Sequence, residues 1–366
     1  MHRRAALLLT TVAYALTIGS ACSVKADRFT IDRVAERSLR VPDLGEACTL
    51  GSAFDHVLAA VSPDNPPHRA MIFAELSAGM CAEIVAWDAE LDSLRAKTNF
   101  GELGSARSSE VRDARLRKDR AHVDATNRLM RAFGHTEAEW GPVGEECPKV
   151  KEKDELVYLL GVLSGVNGLL HDRRSGGEVG VPLDLILRAG RGATCMDDDK
   201  WWHLPTAVQA AGWTQIPGSA PEGVDPWAVV EEAANKGDAS GVRVARALQI
   251  EVLANSGMDD ELRAAIAKYA ESTEQTPRSE QYALLDVYAH MLIRHHSDVI
   301  WTKERGHRTD TLGKFPTDPV ETPATPNPFG DDPFADPFAD PNETPPTPED
   351  AAEPTDEGES PVEESP

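Results

Sequence analysis

The stretch ELVYLLGVLSGVNGLLH, residues 155–171, is the most apolar run after the N-terminal leader and has no charge between its two ends. Val and Leu fall on all sides, so a helix here is buried all round rather than on one face. Gly161 and Gly165 are four apart, with Ser164 and Gly168 beside them. Small side chains at that spacing predict a second helix whose backbone approaches closely. About 15 uncharged residues fall short of the roughly 20 that a membrane span needs. The run therefore reads as the central helix of a soluble all-α domain.

The segments around it carry the same signature. Phe54, Val57, Leu58 and Val61 recur at i, i+3, i+4, i+7, which predicts a helix over 52–61. The run Ser62-Pro63-Asp64-Asn65-Pro66-Pro67 ends it, because proline cannot continue a helix. A long helix is expected over 68–96, with Ile72, Phe73, Leu76, Met80, Ile84 and Trp87 on its stripe, and a turn at 101–104. The next, over 108–133, has a narrow stripe of Leu116, Val123 and Met130, and seven Arg or Lys against four acids between Glu110 and Arg131. It reads as a solvated outer face, or as a docking surface for an anionic partner or lipid headgroups.

After the Gly141-Pro142 to Pro148 break and the central helix, 183–188 reads as helical, with Gly190-Arg191-Gly192 as its C-cap. Asp225 followed by Pro226 marks a helix start. Helices are expected over 226–234, 241–255, 259–271 and 279–304. Residues 27–50 have no clear pattern, and no run alternates as a strand would. Consecutive amphipathic helices with short turns suggest stacked helical hairpins, a tetratricopeptide-like or α-solenoid array, although no fixed period repeats.

Both ends differ from this domain, which is expected over 27–314. Residues 1–26 read as an export signal, with a basic start at His2, Arg3 and Arg4 and an apolar core over 5–18. Gly19-Ser20-Ala21-Cys22 resembles a lipobox, which would lipidate Cys22; Val24-Lys25-Ala26 resembles an ordinary cleavage site. Either way the chain is expected in a bacterial cell envelope or periplasm. Cys48, Cys81, Cys147 and Cys195 remain, an even number suited to an oxidising compartment. The pairing Cys48–Cys81 and Cys147–Cys195 closes the shortest loops; four buried thiols is the other reading.

Formal net charge is -24, but residues 315–366 hold 15 acids and no Lys or Arg, which leaves -9 on the rest. Nucleic-acid binding is disfavoured by that balance. The same segment holds 14 of the 26 prolines from Pro316 onward and three Asn-Pro-Phe or Asp-Pro-Phe repeats. It is expected to be a disordered, acidic, Pro-rich tail.

Signals for chemistry are few. There is no His-Glu-x-x-His, no phosphate-binding loop and no Gly-x-Ser-x-Gly, so neither a catalytic residue nor a cofactor is expected. His290, His295, His296 and Asp298 cluster, but spacings of five and one put the histidines on different faces. A metal-dependent hydrolase built on them is the weakest alternative. Asp197, Asp198 and Asp199 read as a helix first turn, with calcium binding as the other reading. Trp201, Trp202 and His203 concentrate aromatic surface in a chain with only 6% aromatics. They are the candidate contacts for a ligand or partner groove, against packing between helices.

The order and character of these segments, from about 54 to about 301, resemble a known family. Ser-Pro-Asp-Asn-Pro at 62–66 is followed by the long 68–96 helix and the Arg/Lys-rich 115–131 helix. Lys153-Asp154-Glu155-Leu156 leads into the Gly-containing apolar helix, and Asp199-Lys200-Trp201-Trp202-His203 follows. In this the chain resembles the tetratricopeptide-like T-component lipoproteins of tripartite ATP-independent periplasmic (TRAP) transporter systems. The lipobox-like Cys22 agrees; Gly19, the extra cysteines and the long tail depart from the pattern. The resemblance implies a non-enzymatic helical-repeat protein beside a periplasmic solute-binding partner, self-association, and a groove or pore for an apolar ligand. The alternative is a structural scaffold lipoprotein with no transport role.

Overall fold

The structure is a computed structural model, and it describes residues 23–61, 64–98 and 106–316. The leader with Cys22, turn residues 62–63 and 99–105, and the tail from 317 lie outside the described residues. Within them the chain is all-α with no strand. We number eleven helices: α1 (23–39), α2 (Leu44–Val61), α3 (His68–Thr98), α4 (Ala106–Trp140), α5 (Glu155–Ser175), α6 (Leu185–Ala193), α7 (Leu204–Gln215), α8 (Pro226–Ser240), α9 (Val244–Ser256), α10 (Asp259–Gln275) and α11 (Ala283–Arg305).

Local chemistry sets several of these boundaries. Asp43 Oδ1 accepts from the Glu46 amide at 3.0 Å to start α2, and Asp225 Oδ1 accepts from the Trp227 amide at 3.0 Å to start α8. Gly176 ends α5 with φ 91°, a left-handed stop that costs a residue without Cβ little. Residues 27–50, patternless in sequence, are mostly helical: α1 contains a π-helical turn, Thr30–Ala35, whose wider repeat blurs the 3.6 period. The Gly190-Arg191-Gly192 cap is overturned, because α6 runs through it to Ala193. A Cβ on Gly190 would lie 3.0 Å from Gln209 Cα, so these glycines serve close approach rather than a stop.

Helices pack on their chain neighbours, α2 on α3, α3 on α4, α4 on α5, then α6 on α7, α7 on α8 and α8 on α9. α11 returns across α9 and α3. One core gathers Leu159, Val162, Val166, Ile186, Leu204 and Val208 around α5 to α7, and a second gathers Ile250, Ile266, Leu284 and Ile293 around α9 to α11. Cys48 with Cys81, and Cys147 with Cys195, stand at disulfide distance, with Cα atoms 5.4 Å apart in each pair. The first links α2 to α3. Phe315 is buried beneath the Arg263 guanidinium, so the folded unit runs past 314. α3 contains the one described stretch long and apolar enough to cross a membrane, but 72% of that window is buried inside the fold.

The glycine spacing of α5 does what its sequence suggests. A Cβ on Gly165 would lie 2.5 Å from Phe133 Cδ2, and one on Gly161 2.0 Å from Thr136 Oγ1, both on α4. Gly134 on α4 has nothing within 4 Å of such a Cβ. Gly165→Ala is therefore expected to destabilise by about 1–3 kcal/mol through overpacking. Gly134→Ala is expected to stabilise by about 0.5–1 kcal/mol through backbone entropy. Urea unfolding of the two variants checks the pair: equal effects would mean that α4 and α5 are not in contact at Gly165.

Candidate functional site

The aromatic stretch before α7 is a packed corner. Trp202 and His203 adopt φ 53° and 57°, left-handed values that are costly for side chains with a Cβ. The turn folds both tryptophans onto Tyr282, ring centroids 6.5 Å and 4.4 Å away. Trp201 is buried, and its Nε1 donates to Glu155 Oε2 at 3.1 Å. The acids have structural partners. Asp198 Oδ1 accepts from the Thr206 amide at 2.9 Å, in the first turn of α7, and Asp198 Oδ2 pairs with His203 Nδ1 at 2.5 Å. Asp197 accepts from the Lys200 amide at 2.8 Å. Of the three candidate contacts, Trp202 and His203 keep partial exposure and Trp201 does not.

The histidines of α11 do not converge either. His290 Nδ1 meets Tyr269 OH at 3.0 Å, His295 Nε2 donates to Glu90 Oε2 at 3.1 Å, and His296 Nε2 donates to Glu251 Oε2 at 2.7 Å. Asp298 Oδ1 accepts from the Thr309 amide at 3.1 Å. Among the described residues no group of three His, Cys, Asp or Glu is arranged to hold a metal ion.

What these contacts reveal is a buried polar network that sequence reading missed. It joins α3 (Glu83, Glu90), α4 (His122), α5 (Asn167, His171, Arg174), α9 (Glu251) and α11 (Tyr288, His295, His296). Arg174 meets Glu251 Oε1 at 2.7 Å. Glu83 Oε1 accepts from His171 Nε2 at 3.1 Å and from Tyr288 OH at 2.9 Å, and Asn167 Nδ2 donates to Tyr288 OH at 3.1 Å. His122 and His171 face each other through their Nδ1 atoms at 2.9 Å.

Proton counting assigns the tautomers. His171 gives its Nε2 proton to Glu83, so its Nδ1 accepts from His122. His122 Nε2 is left as a lone pair, without a hydrogen-bond partner and 3.8 Å from Glu90 Oε2.

The charges follow from these contacts. Burial by itself would raise the Glu90 carboxyl, but the His295 hydrogen bond and the Arg174 charge hold it well below the usual range. Glu251 is likewise pushed up by burial and pulled far down by Arg174 and His296. Burial lowers His122 to about 2, with the adjoining His171 ring and the Arg174 charge adding to it. Burial also lowers His295, against the pull of Glu90.

Above this network lies an apolar cleft between α1, α3, α5 and α11, with a volume of about 70 Å³. Phe73, Leu76, Met80, Leu160, Leu163 and Leu284 form its walls. Ala35 and Leu39 of α1 close one side, and Glu83, Asn167 and Tyr288 form the polar end. The volume is about half that of the roughly 150 Å³ cavity known to hold benzene. A cavity of that size has room for a short apolar group.

α1 is tied down at its start. Asp27 Oδ1 accepts from the Ala70 amide at 2.9 Å, and the Arg69 guanidinium bridges Asp27 and Asp154, reaching the latter at 2.9 Å. No family model, curated protein or solved structure matches the chain.

Proposed function

We propose that the chain is a non-enzymatic, envelope-anchored helical-repeat protein that docks a periplasmic solute-binding partner, in the manner of a TRAP-type uptake system. In this reading it takes an apolar group of the ligand or partner into the cleft beside α1. The observation that carries this is the cleft: its walls are apolar, while the acid–base groups at its polar end are tied to one another. Glu83 is held by His171 and Tyr288, so it anchors the floor rather than attacking anything. The anchoring part draws on α1. Ser23 is buried and donates to Asn65 O at 2.8 Å, and Ala26 packs beside Leu58. Processing before Cys22, as a lipobox directs, keeps these contacts; cleavage after Ala26 removes them.

The small volume of the cleft favours a second reading, in which the domain is a scaffold. One experiment separates the two: affinity capture from the native envelope with the tagged full chain, a chain ending at Thr317, and Leu160→Trp, which fills the cleft. Recovery of a solute-binding protein by the first two and a several-fold loss with the third is the expected result. Recovery only of surface or wall components, lost with the tail, would make the protein a scaffold.

A further inference from the structure

The outward face of α1 carries a concentration of positive charge that contrasts with a chain of net charge -24. Lys25, Arg28, Arg33, Arg37 and Arg40 are all exposed, and Glu36 is the one exposed acid among them. Arg40 pairs with Glu36 at 3.2 Å; the other four cations make no ion pair among the described residues. Asp32, the remaining acid of the segment, is half-buried and turned to Lys153 Nζ at 2.8 Å. Two large apolar side chains lie on the same face, Val24 at 58% and Phe29 at 59% exposure.

This grouping depends on the π-helical turn Thr30–Ala35. An α-helix repeats every 3.6 residues, so its outward positions recur three or four apart. Here the exposed cations step from Arg28 to Arg33, five residues, across the wider turn. The extra residue keeps Ile31 and Ala35 buried against Phe73 while Arg33 and Arg37 stay on the side of Lys25 and Arg28. Without it the cations would spiral toward the core.

We infer that this face of α1 lies on an anionic phospholipid bilayer, with the guanidinium and ammonium groups among the headgroups and Phe29 and Val24 at the acyl boundary. Clustered Lys and Arg are attracted to anionic headgroups by about 1 kcal/mol each near the surface, and exposed Phe29 and Val24 add apolar contact. The surface is the exposed side of a single helix, which suits a plane of headgroups better than a folded acidic protein. Ser23, the first described residue of α1, follows Cys22, the candidate acylation site, in sequence, and a single acyl chain binds only marginally until a basic patch adds to it. The inference deepens the envelope reading, but its test stands apart, because partner capture can fail while bilayer binding holds.

The test is sedimentation of the chain from residue 22 to 366 carrying Cys22→Ser, produced without the leader so that neither leader nor acyl chain contributes, with sucrose-loaded vesicles of 30% phosphatidylglycerol in phosphatidylcholine. Binding is expected to these vesicles and not to pure phosphatidylcholine, and to weaken as salt rises. Each cation contributes about fivefold near an anionic surface, so Arg28→Gln/Arg33→Gln/Arg37→Gln is expected to lose roughly 100-fold. Phe29→Ser is expected to lose about tenfold. All four positions are exposed, and an unchanged melting curve confirms that the variants fold. Equal binding to both vesicle types, or no effect of the triple variant, would overturn the inference. So would a loss seen only with Arg112→Gln/Arg115→Gln/Arg117→Gln on α4, which would move the site to that helix. Absence of vesicle binding, with the α1 triple variant instead losing an acidic envelope protein, would reassign the face to protein docking.

Discussion

Arg174→Met is expected to lower the unfolding free energy by about 3–5 kcal/mol, the range for removing one partner of a buried ion pair. The size follows from what the guanidinium faces. It contacts Glu251 at 2.7 Å, and its charge also acts on Glu90 and Glu83. Those three carboxylates come from α3 and α9, and Arg174 is the cation that allows them to share one interior. Met keeps the aliphatic stem and removes only the charge and its donors. Arg173→Met, one residue away, loses a half-buried hydrogen bond to Gln215 at 2.6 Å and is expected to cost about 1 kcal/mol. Denaturant unfolding with both variants decides the matter: equal effects would mean that the carboxylates do not need Arg174.

That contrast also shows where sequence reading stops. Gly161 and Gly165 announced a close helix partner, because their spacing has few other uses in an apolar run. Asp225-Pro226 announced a helix start for a similarly local reason. Glu83 was within reach, since it lies between Met80 and Trp87 on the apolar stripe of α3, seven residues from Glu90. A carboxylate on a buried stripe must find partners there. Nothing in Arg173-Arg174 says which of the two points inward, because that depends on the rotation of α5 against α9, 77 residues away from Arg174 at Glu251. The buried arginines 243 and 246 were hidden in the same way beside the stripe of α9. Trp201 to His203 drew attention for their chemistry, yet aromatic surface is equally useful as packing, and only the turn geometry distinguishes the two. The cleft is formed by helices drawn from positions 35 to 288, so no single segment carried its signal.

Acidification is expected to destabilise the fold in two steps, and the sign follows from the buried groups. His122 is held neutral at a folded value of about 2, against 6.5 for the free side chain, by burial and by His171 and Arg174, with Lys118 adding to them and Glu90 opposing. Between pH 6.5 and about 2 the unfolded chain binds this proton and the folded chain does not. Stability therefore falls as pH drops through that window, by about 1.4 kcal/mol per unit for one fully buried group, or roughly 3 kcal/mol from pH 6.5 to 4.5. His295, lowered by burial, acts in the same direction. Below pH 4.5 the second step begins. Glu90 and Glu251 are ionised in the folded state well below their ordinary values, so the stability they contribute above 4.5 is lost as the unfolded chain takes up their protons. Above pH 7 these groups have the same charge in both states, and the curve is expected to be flat. His122→Phe should flatten the first step while leaving the second in place. Unfolding free energies measured from pH 8 to pH 3 check both, and a fold whose stability is unchanged from pH 7 to pH 5 would mean that His122 is charged in the interior or open to water.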